Sequence, residues 1–303
     1  MAEKSARRDG RGPSRAELAR RHVEDMDRRF PDEIAAAVAS TRVYDAAPSM
    51  RVTEPCVPQV SVVDEDSVAA VLARGRGLAS ACDLAVLDFA SFLYPGGGYE
   101  RGAWAQEQAL CAASFLYNVL REKGAWYAEN RRRNLNCHLY RNRALVVPRV
   151  RFERDDYHSY ADVIVAAAPD ARRAREEYHV GEDALLRALR DRIRLVMAIA
   201  DDLGHKKLVL GAFGCGSFGW EAAAVAEAFR IELERGTHAA REVVFAVPRG
   251  RFDENLEVFE HALATFPEVN DAPYVSRAER AAAEAERSVA DDVDEDEDWR
   301  QYL

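Results

Sequence analysis

Lys207-Leu-Val-Leu-Gly211 continues directly into Ala212-Phe-Gly-Cys-Gly-Ser-Phe-Gly219, and Leu84-Ala-Val-Leu-Asp-Phe89 is followed closely by Tyr94-Pro-Gly-Gly-Gly98. Both apolar runs have the length and composition of a strand that is buried on both faces of a sheet. A helical pattern follows each glycine-rich loop, at 103–121 and 221–235. Strands that alternate with helices predict an α/β protein of three layers, with the sheet between two layers of helices.

The alternation continues along most of the chain. Apolar and polar patterning, caps and breakers predict further strands at 41–44, 59–63, 161–166 and 242–247, and further helices at 14–29, 31–39, 64–74, 183–203 and 254–264. Between these elements, Asn134, Asn136, Asn142 and Pro148 predict a loop-rich insertion.

Composition narrows the class of protein. The chain has 303 residues, a net charge of −10 and a pI of about 5.3, which argues against a protein that neutralises duplex nucleic acid. The sequence has no apolar run of the ~20 residues needed to span a bilayer and no secretory signal at its start, so we expect a cytoplasmic protein, or a nuclear one in a eukaryote. Five scattered cysteines without a C-x-x-C pair predict neither a disulfide framework nor a zinc site.

The sequence predicts four segments. Residues 1–15 are expected to be disordered, 16–75 to form an N-terminal helical accessory segment, 76–268 to form the main domain, and 269–303 to form an acidic, disordered tail.

The two glycine-rich loops are the candidate ligand site. In α/β proteins, ligands bind beyond the carboxyl ends of the strands, where loops of this kind lie. Glycines let backbone N–H groups approach a ligand, and free N–H groups at a helix start favour phosphate. Neither loop matches a P-loop or a dinucleotide-binding fingerprint, and the alternative for each is that its glycines serve only tight turns.

The segment after the first loop identifies a family. Gly96-Gly-Gly98 is followed after seven residues by Gln106-Glu-Gln108, which resembles the poly(ADP-ribose) glycohydrolase signature of three glycines, a short spacer and Q-E-E. The context Leu87-Asp-Phe-Ala-Ser91 and the loop Leu210-Gly-Ala-Phe-Gly-Cys-Gly-Ser-Phe-Gly219 are similar to the microbial-type members. The resemblance covers roughly residues 16–265.

This resemblance implies a macrodomain with a mixed sheet, extra N-terminal helices and a cleft for ADP-ribose. It implies partners as well, namely ADP-ribose, poly(ADP-ribose) or ADP-ribosylated proteins, and it implies no metal and no cofactor. By motif position, Glu107 contacts a ribose hydroxyl and Phe218 packs against a ribose. The other ligand-binding positions it implies are Phe89, Gly96, Gly97, Gly98, Gln106, Gly214, Cys215, Gly216 and Ser217.

One departure from the signature concerns catalysis. The resemblance implies that the second Glu of Q-E-E is the general acid/base, and this chain has Gln108 there. An amide cannot take up and release a proton, and the loss of a general acid/base typically costs ~10²–10⁴ in rate. We therefore expect hydrolysis of the ribose–ribose bond to be weakened or lost, with Glu107 and Gln108 as the residues at the catalytic position.

Three functions remain open at this point. The chain is a weakened hydrolase, a reader that binds ADP-ribose without turnover, or a hydrolase of another ADP-ribose linkage that uses Glu107. Adjacent helical side chains diverge by about 100°, so Glu107 replaces the missing acid only if the helix start is rotated or irregular. Glu100 is expected to be a solvated loop charge, Cys215 to be a small packing residue or a thiol of lowered pKa, and the protein to be a monomer.

Overall fold

A seven-stranded mixed sheet forms the centre of the protein. The computed structural model of the chain describes residues 12–283. The strands are β1 (Arg42–Tyr44), β2 (Gln59–Val63), β3 (Leu84–Phe89), β4 (Ala144–Arg154), β5 (Tyr157–Ala166), β6 (Lys207–Leu210) and β7 (Glu242–Ala246). Their order is β1-β4-β5-β3-β6-β7-β2, antiparallel from β1 to β5 and parallel from β5 to β2.

Helices cover both faces of this sheet. One face packs against α1 (Arg15–Arg29), α2 (Pro31–Ser40), α3 (Ser67–Arg74), α4 (Gln106–Ala112), α5 (Leu116–Leu120) and α6 (Gly124–Arg133). The other face packs against α7 (Ala171–Tyr178), α8 (Glu182–Leu203), α9 (Ala222–Glu234) and α10 (Asn255–Leu263). The predicted three-layer α/β/α fold with a mixed sheet is confirmed.

The helix starts follow from capping residues in the sequence. Ser14 and Glu17 form a reciprocal capping box at α1, Pro31 begins α2, and Asp66 accepts a hydrogen bond from the Ala69 amide at the start of α3. These contacts satisfy backbone N–H groups that have no partner inside a helix. The predicted boundaries of these three helices are confirmed to within a few residues.

The prediction of a loop-rich insertion is confirmed at residues 134–142, which are irregular, and was wrong at Pro148, which lies inside β4. Helix α6, which precedes the irregular segment, was not predicted. The pairing of β4 with β5 shifts in register between Val147 and Val150, and Arg149 has a positive φ of 51°. Proline is tolerated at such a bulge because no ladder hydrogen bond is needed from it there.

The single helix predicted at 103–121 is two short helices. Ser114 interrupts it, because its hydroxyl donates to Leu110 O and accepts from the Leu116 amide. The freed carbonyl of Ala113 accepts a hydrogen bond from the amide of Glu153 in β4. A contact with a distant strand therefore ends α4. Helix α7 was not predicted.

The segment boundaries at 15, 75 and 268 remain predictions. Strands β1 and β2 precede residue 75 and pair with β4 and β7, so part of the predicted accessory segment lies in the central sheet. The acidic run at 291–298 and most of the predicted disordered N-terminus lie outside the described residues. None of the helices within residues 12–283 combines the length and the low charge that a bilayer-spanning helix needs.

Candidate functional site

A groove lies beyond the carboxyl ends of β3, β6 and β7. A cavity of about 600 Å³ and a second of about 220 Å³ form it, and both have Phe89, Ala105, Gln106 and Ala212 in their walls. Because β3, β6 and β7 are parallel neighbours, the loops that follow them meet at this edge of the sheet. The second glycine-rich loop lines the smaller cavity, whereas Gly96, Gly97 and Gly98 of the first loop line neither cavity, and Phe89 is in the wall of both.

The first loop is a turn that only glycine fits. Residues 95–101 form a kinked turn in which Gly96, Gly97 and Gly98 have left-handed φ of 61°, 56° and 94°. A Cβ on Gly97 would lie 2.4 Å from Glu107 Oε2 and 2.6 Å from Gln108 Nε2. The side chains of Glu107 and Gln108 therefore both contact the backbone of Gly97, although adjacent positions of a regular helix diverge.

Gln106 joins the first turn of α4 to the end of β3. Its side-chain oxygen accepts from the Phe89 amide at 2.9 Å, and its nitrogen donates to Leu87 O at 2.9 Å and to the Ser67 hydroxyl at 3.0 Å. Gln106 lines both cavities, but its polar atoms are already paired. Its geometry is that of a residue that holds α4 against the strand.

Glu107 and Gln108 are buried at the same helix start. Glu107 Oε2 accepts from the Ser91 amide at 2.8 Å, whereas no protein group within residues 12–283 bonds Oε1. Gln108 Nε2 donates to Gly96 O at 2.9 Å. These side chains are 3% and 4% exposed and belong to the wall of neither cavity, so they lie behind the groove surface.

Asp88 is a residue of this site that the sequence reasoning missed. It is fully buried in β3, and neither carboxyl oxygen has a hydrogen-bond partner in the described part of the chain. Burial raises the pKa of Asp88 to about 8. Burial and the Asp88 charge together raise the pKa of Glu107 well above its usual value, against hydrogen bonds from Ser91 and Gly96 that act to lower it. The two acids thus form a pair that holds at least one proton at neutral pH.

The second loop presents free backbone donors to the smaller cavity. Gly214 has φ of 83°, and a Cβ there would lie 2.7 Å from the Trp220 ring. The amides of Gly214, Gly216, Ser217 and Phe218 donate to no protein acceptor among residues 12–283, and these residues line the cavity. A row of unpaired N–H groups binds anionic oxygens without a basic side chain.

Cys215 differs from its neighbours in this loop. Its amide donates to Ala212 O, and its side chain packs against the apolar core beneath the sheet. Burial raises the pKa of its thiol to about 12, so the hypothesis of a lowered pKa was wrong and the packing alternative fits. Phe218 lines the cavity, with its ring 6.3 Å from that of Tyr140.

Comparison with known proteins identifies close structural relatives. The family model "Microbial-type PARG, catalytic domain" matches residues 19–155, which include the first loop and α4. The crystal structure of poly(ADP-ribose) glycohydrolase from Thermomonospora curvata is 31% identical, with a TM-score of 0.68 over 81% of this chain and 97% of that chain. The same enzyme has been solved with the inhibitor ADP-HPD. No curated protein sequence matches this chain.

A second organism provides a structure of similar likeness. Poly(ADP-ribose) glycohydrolase from Deinococcus radiodurans, in complex with ADP-ribose, is 32% identical, with a TM-score of 0.67 over 78% of this chain and 99% of that chain. The chain is more than 30% identical to both glycohydrolases over nearly their whole length, and it has the same arrangement of sheet and helices. These findings establish its family. The chain belongs to the microbial-type poly(ADP-ribose) glycohydrolase family.

Proposed function

We propose that the groove binds ADP-ribose and that the chain recognises ADP-ribose on proteins or polymers, with hydrolysis of the ribose–ribose bond weakened or lost. Two features support binding. The free amides of the second loop suit a diphosphate, and relatives in the family are solved with ADP-ribose and with ADP-HPD. The residues proposed to contact ligand are those predicted from sequence. Gln106 and Cys215 are proposed to hold the neighbouring backbone in place, because they have no free polar atom to offer the ligand.

The proposed loss of turnover rests on one observation, the hydrogen bond from Gln108 Nε2 to Gly96 O. Glycoside hydrolysis needs an acid that protonates the departing ribose oxygen, while water adds to the anomeric carbon and gives up a proton to a base. Gln108 stands where the family signature has its second Glu. Its amide donates a hydrogen bond but has no proton to transfer, so the C–O bond must break without acid assistance.

The same contact predicts how a glutamate at position 108 would behave. An ionised carboxylate there would place an anionic oxygen next to the Gly96 carbonyl oxygen, whereas a neutral carboxyl group would donate to it. The position therefore favours the protonated form, which is the state that a general acid needs. We therefore expect the carboxyl group of Gln108→Glu to be protonated and able to act as a general acid.

The test is release of ADP-ribose from poly(ADP-ribose) by the purified chain and by Gln108→Glu. We expect the variant to be about 10²–10⁴-fold faster, while the affinity of both proteins for ADP-ribose stays within a few-fold. Glu100→Gln, a change at an exposed carboxylate in the neighbouring turn, is the control and should leave both quantities unchanged. Equal turnover by the two proteins would contradict the proposal.

A second candidate function is hydrolysis through Glu107. It is favoured by the raised pKa of Glu107, which keeps this carboxyl group protonated beside Asp88, and by the convergence of Glu107 and Gln108 on Gly97. If the unmodified chain releases ADP-ribose and Glu107→Gln abolishes release while retaining affinity, Glu107 is the acid. If Glu107→Gln lowers affinity alone, Glu107 is a binding residue and the reader function stands.

A further inference from the structure

Cys82, Asp162 and His205 meet at the opposite edge of the sheet from the groove. One possible ligand atom of each lies within 4.8 Å of the others. Cys82 Sγ is 3.7 Å from Asp162 Oδ1, and His205 Nε2 is 3.0 Å from Asp162 Oδ2. The three side chains line one cavity of about 390 Å³.

The topology of the sheet builds this cluster from residues far apart in sequence. Cys82 lies just before β3 and His205 just before β6, and these strands are parallel neighbours, so both residues lie at their amino ends. Asp162 is in β5, where it pairs with Ala85 of β3. The spacing along the chain carries no metal-binding pattern, which is why the sequence predicts no site here.

Two of the three ligand separations are near those of a zinc site, and the third, between Cys82 Sγ and the His205 ring, is within 4.8 Å. Zinc binds thiolate sulfur, imidazole nitrogen and carboxylate oxygen at about 2.0–2.3 Å, so ligand atoms of a tetrahedral ion lie roughly 3.3–3.8 Å apart. The Sγ–Oδ1 distance lies in this range, and the Nε2–Oδ2 distance is slightly shorter, as expected of a hydrogen bond that a metal would replace. The Arg149 amide donates to Asp162 Oδ1 at 2.7 Å and orients the carboxylate.

A catalytic thiol fits these residues less well. In a Cys–His pair the imidazole takes the proton from sulfur, but here both Cys82 and His205 hydrogen-bond to the Asp162 carboxylate that lies between them. The His205 ring nitrogen is engaged with Asp162 and is not hydrogen-bonded to Cys82 Sγ, so it is not placed to take the thiol proton.

The charges around the cavity are compatible with a divalent cation. Arg42 and Arg149 also line it; the Arg42 guanidinium is paired with Asp202 at 2.9 Å, and Arg149 is exposed, so solvent screens its charge. A thiolate and a carboxylate would neutralise the charge of a divalent ion. The hydroxyls of Ser40 and Ser80 lie in the same wall, and the cavity leaves room for water as a fourth ligand.

We propose that Cys82, Asp162 and His205 form a zinc site, separate from the groove, with a fourth position occupied by water or a serine hydroxyl. Binding replaces the thiol proton of Cys82, which is released to solvent, and the hydrogen bond between His205 and Asp162. Because the cluster joins β3, β5 and β6 on the side of the sheet away from the groove, the ion is expected to stabilise the sheet.

The test is titration of the reduced full-length protein with Co²⁺, followed by displacement with Zn²⁺. We expect one equivalent of Co²⁺ to give a thiolate-to-cobalt charge-transfer band, and one equivalent of Zn²⁺ to remove the band and raise Tm. Cys82→Ser should abolish the band, and His205→Gln should weaken Zn²⁺ affinity roughly tenfold or more. Cys137→Ser, at an exposed cysteine, is the matched control and should change nothing.

Two outcomes would overturn the proposal. One is absence of a thiolate-to-cobalt band in the unmodified protein, and the other is a band that persists in Cys82→Ser. The metal-free Tm of each variant shows whether it is folded. His205→Gln keeps a polar group beside Asp162, so loss of metal affinity at an unchanged metal-free Tm is separable from misfolding.

Discussion

Asp88 places a carboxyl group in a strand whose other buried side chains are apolar, and this has a consequence for stability. Its pKa is raised by burial from 3.8 to about 8, so the folded protein takes up a proton that the unfolded chain releases. A raised carboxyl pKa favours folding at low pH, and this stability is lost as the pH rises from about 4 to about 8. The expected slope is roughly 1 kcal/mol per pH unit.

Asp88→Asn removes the titrating group at nearly constant volume. We expect the free energy of unfolding, measured in urea, to fall less between about pH 5 and pH 8 in the variant than in the unmodified protein. Asp156→Asn, at an exposed turn position, should retain the original slope. Parallel pH profiles for Asp88→Asn and the unmodified protein would show that Asp88 ionises normally in the fold.

At the residue scale, the sequence identified the loops but not this pair. The Gly96–Gly98 turn and Gln106-Glu-Gln108 are adjacent in sequence, so their association was predictable. Asp88 was visible as a lone acid in an apolar strand. Strand alternation predicts which face of the sheet a side chain is on, but it does not predict which residue lies next to it there. Glu107 reaches Asp88 only because Gln106 fixes α4 against β3.

At the scale of the turn, Gly97 and Gly216 require glycine for different reasons. Gly97 has a positive φ and faces two side chains, so Gly97→Ala should cost about 1–3 kcal/mol of stability and disturb Glu107 and Gln108. Gly216 has open space where a Cβ would be. Gly216→Ala should leave the free energy of unfolding unchanged but weaken ADP-ribose binding, because a methyl group would keep the ligand away from the loop amides.

Thermal unfolding and ADP-ribose calorimetry on the two variants test this contrast. The two changes are the same in chemistry, but only Gly216 lines a cavity, so each serves as the control for the other. Unimpaired ADP-ribose affinity in Gly216→Ala would mean that the ligand does not approach that amide. An unchanged Tm in Gly97→Ala would mean that the turn tolerates a side chain.

Secondary-structure elements were predicted best where a local signal fixes their ends. Ser14 and Asp66 set the starts of α1 and α3 through hydrogen bonds with residues three positions away, and Pro31 begins α2 through its fixed φ. The break between α4 and α5 depends on the local hydrogen bonds of Ser114 and also on a hydrogen bond with β4. No local pattern contains the second contact, so the sequence suggested one long helix.

For the whole molecule, the alternation of strands and helices indicated the three layers. It did not indicate the order of the strands, which depends on pairing between distant parts of the chain. The order of the strands places β1 and β2 at opposite edges of one sheet, so a boundary near residue 75 does not separate them from it. The same order brings Cys82, Asp162 and His205 together. Contacts of this kind come from topology, which a single sequence does not specify.

His238 links two helices of the same layer in a pH-dependent way. It precedes β7, and its ring contacts Asp201 of α8 at 2.8 Å and Glu232 of α9 at 3.3 Å. Burial alone would lower the pKa of His238, but hydrogen bonds and charge from the two carboxylates raise it to about 9. A histidine with a raised pKa stabilises the fold fully below about pH 6.5, and this stability is lost as the pH rises through 9.

His238→Gln should therefore flatten the pH dependence of stability above neutrality. Between about pH 6.5 and pH 9 the free energy of unfolding of the unmodified protein should fall by roughly 2–3 kcal/mol more than that of the variant, because a neutral amide releases no proton. The difference between the two urea-unfolding profiles isolates His238 from Asp88, which titrates in part of the same range. His179→Asn, at an exposed helix end, should follow the unmodified protein. If the profiles of His238→Gln and the unmodified protein run parallel, the imidazole is not charged in the fold, and the contacts with α8 and α9 are neutral hydrogen bonds.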